Sequence, residues 1–72
     1  MQISEQLKML CVKKNISLAE LARRLNKTPQ ALSQKINRGK FTIDDLEEIA
    51  AVTNCHIECN IILQNGETIK LN

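Results

Sequence analysis

The chain has 72 residues, so one domain over residues 1–72 is expected, with modest stability because short chains bury little of their surface. Hydrophobic residues make up 43% and rule against disorder, while Phe41 is the single aromatic residue and rules against a stacking platform for single-stranded nucleic acid. The net charge of +2 is small, but its distribution is not even. Between Glu20 and Asp44 there is no acidic residue and there are six basic ones: Arg23, Arg24, Lys27, Lys35, Arg38 and Lys40. Such an asymmetry points to one face that meets phosphates and another that meets solvent.

Helix 1 is expected over about residues 3–14. Ile3, Leu7, Leu10, Cys11 and Lys14 recur at helical spacing, and the apolar members of that stripe face a core. Asn15 stops it. Helix 2, over 17–25, opens with what reads as a capping box, in which Ser17 accepts from the N–H of Glu20 and Glu20 reaches back. Leu18, Leu21, Ala22 and Leu25 form its buried stripe. Asn26 then sits at a sharp turn, where asparagine tolerates a left-handed backbone. Helix 3, over 28–38, has Thr28 as N-cap and Pro29 at the first helical position, where the missing N–H costs nothing. Leu32 and Ile36 face inward. Gln30, Ser33, Gln34 and Asn37 cluster on the other side, and Gly39 closes the helix. Helix 4, over 43–53, is capped by Thr42. Asp44, Asp45 and Glu47 complement its dipole, and Ile43, Leu46, Ile49, Ala50 and Thr53 face inward.

From Cys55 the period changes to two. Asn65-Gly66 marks a hairpin within about 56–71. A two-residue loop pairs Ile61 with Lys70. A three-residue loop, Gln64-Asn65-Gly66 with Gly66 left-handed, pairs Ile61 with Ile69 and Cys59 with Leu71. The second register gathers the apolar residues on one face and is preferred.

The helix 2–turn–helix 3 unit carries the chemistry. A helix that enters the major groove needs polar side chains near its N-terminus. Gln30 and Gln34 can pair with adenine N6 and N7, Ser33 can donate or accept, and Asn37 lies one turn further along. Arg24, Lys27, Arg38 and Lys40 flank that face as phosphate contacts. The capped helix starts at Ser17 and Thr28 offer N–H groups to phosphate as well. The expected partner is therefore double-stranded DNA.

Residues 17–40 resemble the helix-turn-helix of the phage lambda repressor/Cro family, also called the xenobiotic response element family. The matching run is Leu18-Ala-Glu-Leu-Ala22, Leu25, the turn at Asn26, and Thr28-Pro-Gln-Ala-Leu-Ser33 leading to Arg38-Gly39-Lys40. With helices 1 and 4 the likeness covers about residues 3–54. It implies a mainly α fold with a small β element: a four-helix lambda repressor-like DNA-binding domain, here followed by a C-terminal β-hairpin. It also implies a transcriptional regulator, most often a repressor acting as a dimer on a palindromic operator, in a phage or mobile element. Carried over position by position, it places Gln30, Ser33 and Gln34 on bases, and Ser17, Thr28 and Lys40 on the backbone. Two departures stand out. The usual Glu before the glycine is missing, since Arg38 precedes Gly39, and a hairpin replaces the fifth helix, as a C-terminal strand does in Cro.

That hairpin leaves an open edge, with Ile62 turned away from the main apolar face. A homodimer is expected through Ile57, Cys59, Ile61, Ile62, Ile69 and Leu71. The alternative is a protein-interaction module, an antitoxin or adaptor built on the same scaffold. Cys55-His56-x-x-Cys59 offers three candidate ligands where structural zinc needs four, and the strand period separates His56 from the cysteines. Neither metal nor cofactor is expected, Cys11, Cys55 and Cys59 are read as buried free thiols, and His56 as a surface residue. A single histidine and no glycine-rich phosphate loop argue against an enzyme. With no leader pattern, no span of ~20 apolar residues and no evident small-molecule effector site, a cytoplasmic protein of a bacterial or phage nucleoid is expected.

Overall fold

A computed structural model describes residues 3–72; Met1 and Gln2, the start of the segment read above for a leader, lie outside it. Four helices are followed by a two-stranded antiparallel hairpin: α1 (Ser4–Lys14), α2 (Leu18–Arg24), α3 (Pro29–Arg38), α4 (Ile43–Val52), β1 (Asn60–Ile62) and β2 (Thr68–Lys70).

The helix ends share one device. α1, α2 and α4 each stop at or just before an asparagine with positive φ: Asn15 at 56°, Asn26 at 58° and Asn54 at 57°. The next residue's N–H then closes back across the end of the helix, Ile16 to the Cys11 carbonyl (3.0 Å), Lys27 to Ala22 (2.9 Å) and Cys55 to Ala50 (2.8 Å). Gly39, left-handed at φ 67°, ends α3, its own N–H donating to the Lys35 and Ile36 carbonyls (both 3.1 Å). The helix starts are tied by side chains. Ser17 Oγ accepts from the Glu20 N–H at 3.0 Å, and Thr28 Oγ1 from the Ala31 N–H at 3.1 Å. The capping box expected at Ser17 is only half formed, because the Glu20 carboxylate is drawn to Arg23 instead. The complete box is at α4, where the Asp45 N–H donates to Thr42 Oγ1 (3.1 Å) and the Thr42 N–H to Asp45 Oδ2 (2.9 Å).

The core is aliphatic, as a chain with one aromatic residue requires. Ile3, Leu7 and Cys11 of α1 and its entry meet Leu21, Ala22 and Leu25 from α2, Leu32 and Ile36 from α3, and Ile49 from α4. Leu21 and Leu32 lie deepest. Small Ala22, wholly buried, lets the two middle helices approach. Thr53 is buried beside them, and its hydroxyl is satisfied by the carbonyls of Ile49 (2.8 Å) and Ala50 (3.2 Å).

The hairpin has the three-residue loop: Ile61 pairs with Ile69, Ile62 with Thr68 and Asn60 with Lys70. The Leu63 N–H donates to the Glu67 carbonyl (2.8 Å), and Gly66 turns at φ 93°. Asn65 fastens the loop, its Oδ1 accepting from the Glu67 N–H and its Nδ2 donating to the Glu67 carboxylate. The ladder is shorter than residues 56–71. Below Asn60 one backbone bond continues the pairing, the Leu71 N–H donating to the Cys59 carbonyl (2.7 Å), and a side chain adds to it: Asn72 Oδ1 accepts from the Cys59 N–H (3.0 Å) and its Nδ2 donates to the Ile57 carbonyl (2.6 Å). Every strand residue is exposed, so the hairpin stands off the helical body, and the molecule measures 43 × 24 × 19 Å. This corrects one expectation. Cys11 is buried, but Cys55 and Cys59 are only half-buried, because no second layer covers the start of the hairpin.

Candidate nucleic-acid interface

The left-handed turn at Asn26 and the cap at Thr28 set α3 across α2. With Leu32 and Ile36 pinned in the core, the opposite side of α3 must face outward, given the 3.6-residue period. Gln30, Gln34 and Asn37 are exposed there. Ser33 is half-buried at the margin, so its hydroxyl is within reach of a ligand only along one side. Asn37 and Arg38 also line a small polar notch of ≈ 140 Å³, shared with Ser4 at the start of α1.

The six cations of the acid-free stretch divide into two groups. Arg23 grips Glu20 through Nε (2.8 Å) and Nη2 (2.6 Å). That charge-assisted hydrogen bond holds the Glu20 carboxyl below the usual carboxylate range and raises Arg23 in turn. Arg24, also expected on phosphate, makes two contacts within the protein: its Nε lies 3.6 Å from Glu20 Oε2 and its Nη1 donates to the Val52 carbonyl at 3.2 Å, at the C-terminal end of α4. Lys35 sits 3.1 Å from Asp45 Oδ2 and 5.7 Å above the Phe41 ring, which ties α3 to the start of α4. The Asp45 carboxyl is also held low, first by the Thr42 backbone N–H and then by Lys35. The second group is Lys27, Arg38 and Lys40. All three are exposed and, among the described residues, none is in an ion pair. Lys27 stands at the N-terminal end of α3, and Arg38 and Lys40 at its C-terminal end.

Ser17 and Thr28, expected on the DNA backbone, are both exposed, with their oxygens accepting the cap hydrogen bonds. The hydroxyl protons remain available to an acceptor such as a phosphate oxygen. Of the structural clamps, only Glu20 with Arg23 and Arg24 had a signal in the sequence, the i,i+3 and i,i+4 spacing of opposite charges. Lys35 and Asp45 are ten positions apart across a loop, and nothing local marks them as partners.

Elsewhere, His56 is exposed and lies 3.5 Å from a Glu58 carboxylate oxygen. Among the described residues no three His, Cys, Asp or Glu side chains converge as a metal site, and no helix is long and apolar enough to cross a membrane. Of the six hairpin residues expected at a dimer contact, five share one row: Ile57 and Cys59 are half-buried, Ile61, Ile69 and Leu71 are exposed, and Leu63 joins them. Ile62 points the other way and is 73% exposed.

Compared with known proteins, residues 7–58 match a family model described as helix-turn-helix, of the lambda repressor/Cro-like kind. No curated protein and no solved structure matches the chain.

Proposed function

The chain belongs to the lambda repressor/Cro-like helix-turn-helix family of DNA-binding regulators, and we propose that it represses transcription as a homodimer seated on a palindromic operator. In this proposal α3 lies in the major groove. Gln30, Gln34 and Asn37 read base edges, with Ser33 at the margin, and a glutamine amide matches the N6–N7 edge of adenine. Lys27, Arg38 and Lys40 hold phosphates on either side, and Ser17 and Thr28 add hydroxyl and N–H contacts to the backbone. Arg24 supports the α2–α4 junction instead, because its guanidinium is already engaged. The single observation that carries the proposal is the outward face of α3, polar along its length and bracketed by three cations without acidic partners. Repression follows from occupancy, inside a bacterial or phage-infected cell, and depends on protein concentration and dimerisation.

Selection of bound duplexes from a random pool tests this directly. A palindromic consensus is expected; a pool that never enriches contradicts it. On the selected site, Gln34→Ala should cost about 1–3 kcal/mol while leaving non-specific binding unchanged. A second proposal, a protein-interaction module of the antitoxin or adaptor type, is favoured by the uncovered apolar row on the hairpin. It predicts no duplex binding and a stable complex with a different protein.

A further inference from the structure

Among the described residues, two uncovered apolar surfaces adjoin one another. The first is the hairpin row. Ile61, Leu63, Ile69 and Leu71 point to the same side and remain 40% to 50% exposed. The second is an open groove of ≈ 320 Å³ between α1 and α4, walled by Leu10 and Leu46, floored by Ile3 and Ile49, and closed at one end by Cys55 and Ile57. The two surfaces are continuous, since Ile57 closes the groove and also begins the row of odd-numbered residues that runs through Cys59 and Ile61 to Leu63.

One chain cannot bring these surfaces together. From Cys55 to Leu63 is eight residues of nearly extended backbone, about 26 Å, so the tip of the hairpin points away from the groove at its base. A second copy can. When two hairpins are laid face to face and antiparallel about a twofold axis near Cys59, the arithmetic of the row sets Leu63 of each copy opposite Cys55 of the other, and Ile61 opposite Ile57. We infer that the hairpin of one copy docks tip first into the α1–α4 groove of a second copy, which returns the same contact. This rests on the homodimer part of the function proposed above.

Edge-to-edge pairing of the strands, the other symmetric choice, extends the sheet but leaves both apolar rows and both grooves in water. Reciprocal docking removes all four surfaces at once, and burial of apolar area is the larger driving force at ~25 cal/mol per Å². The strand edges agree with this. Lys70 and Thr68 line the β2 edge, and lysine on an edge discourages pairing. The tip itself is polar beyond Leu63, with Gln64, Asn65 and Glu67 placed to meet solvent at the rim of the contact.

The test uses the full chain carrying Leu63→Cys and Cys59→Ser, treated with a short bis-maleimide and separated on a denaturing gel. Cys11 is buried, which leaves Cys55 and the new thiol to react. The expected product is a covalent dimer whose cross-link maps between position 55 of one chain and 63 of the other. A cross-link joining 63 to 63, or none in a chain that sediments as a dimer, overturns the docking and leaves the homodimer standing. A chain that sediments as a monomer up to the highest soluble concentration overturns both. As a second readout, Leu63→Glu should weaken self-association more than tenfold with unchanged helical circular dichroism. Met9→Glu, on the opposite exposed side of α1, should leave it unchanged. Equal effects from the two variants would contradict the assignment.

Discussion

Asp45 serves three purposes at once: it closes the capping box on Thr42, complements the start of α4, and holds Lys35 of α3. Replacing it with asparagine keeps the size but removes the charge. Asp45→Asn should lower stability by about 0.5–1 kcal/mol at neutral pH, the usual worth of a negative charge at a helix start, read by thermal unfolding. The sign of the pH dependence follows from the carboxyl being held low in the folded chain. Its contribution is fully present above the unfolded aspartate pKa of about 3.9 and is lost as pH falls through the lower folded value. The gap between wild type and variant should therefore close in strong acid, and a gap constant from neutral pH to pH ~2 would contradict the assignment. Glu20 shows the limit of pattern at this scale. Ser17 and Glu20 have the spacing of a capping box, but Arg23 and Arg24 compete for the same carboxylate and win it.

At the scale of elements, the helices were legible because their signals are local. Asn15 and Asn26 sit where a left-handed residue must, and Pro29 follows its cap, so boundaries could be placed before any packing was known. Asn54 went unread, since no turn pattern surrounds it. The hairpin register was equally legible: only a loop of three residues puts Ile61, Ile69, Cys59 and Leu71 on one face. That register depends on Gly66, whose φ of 93° suits glycine and where an added Cβ would meet nothing within 4 Å. Gly66→Ala thus carries a conformational cost without a clash, about 1–2 kcal/mol. Because the strands stand clear of the helices, the loss should appear as faster amide exchange in 60–70 while the helical melt stays in place. A shift of the whole melt would mean that the hairpin is part of the helical core.

For the whole molecule, what the sequence concealed was the placement of the hairpin. No residue between Thr53 and Asn60 says whether the strands fold back over the helices or project from them. In the structure they project, and the chain is left with a polar, cationic α3 and an apolar hairpin as two distinct exposed surfaces. The charge pattern was likewise only half legible. Six cations without acids between them looked like one field, yet Arg23, Arg24 and Lys35 have partners within the protein in Glu20, the Val52 carbonyl and Asp45. Lys27, Arg38 and Lys40, around Gln30 and Gln34, have no ion pair among the described residues, and these are the ones we propose meet the phosphate backbone.

The most direct test of that assignment is the salt dependence of duplex binding, measured for the wild type and for a variant with Lys27, Arg38 and Lys40 all changed to alanine. Each phosphate contact contributes about −0.9 to the slope of log K against log salt. The wild type should fall steeply, and the variant should be shallower by about 2 to 3 units per bound chain. A flat wild-type slope, or a variant with the wild-type slope, would contradict the account.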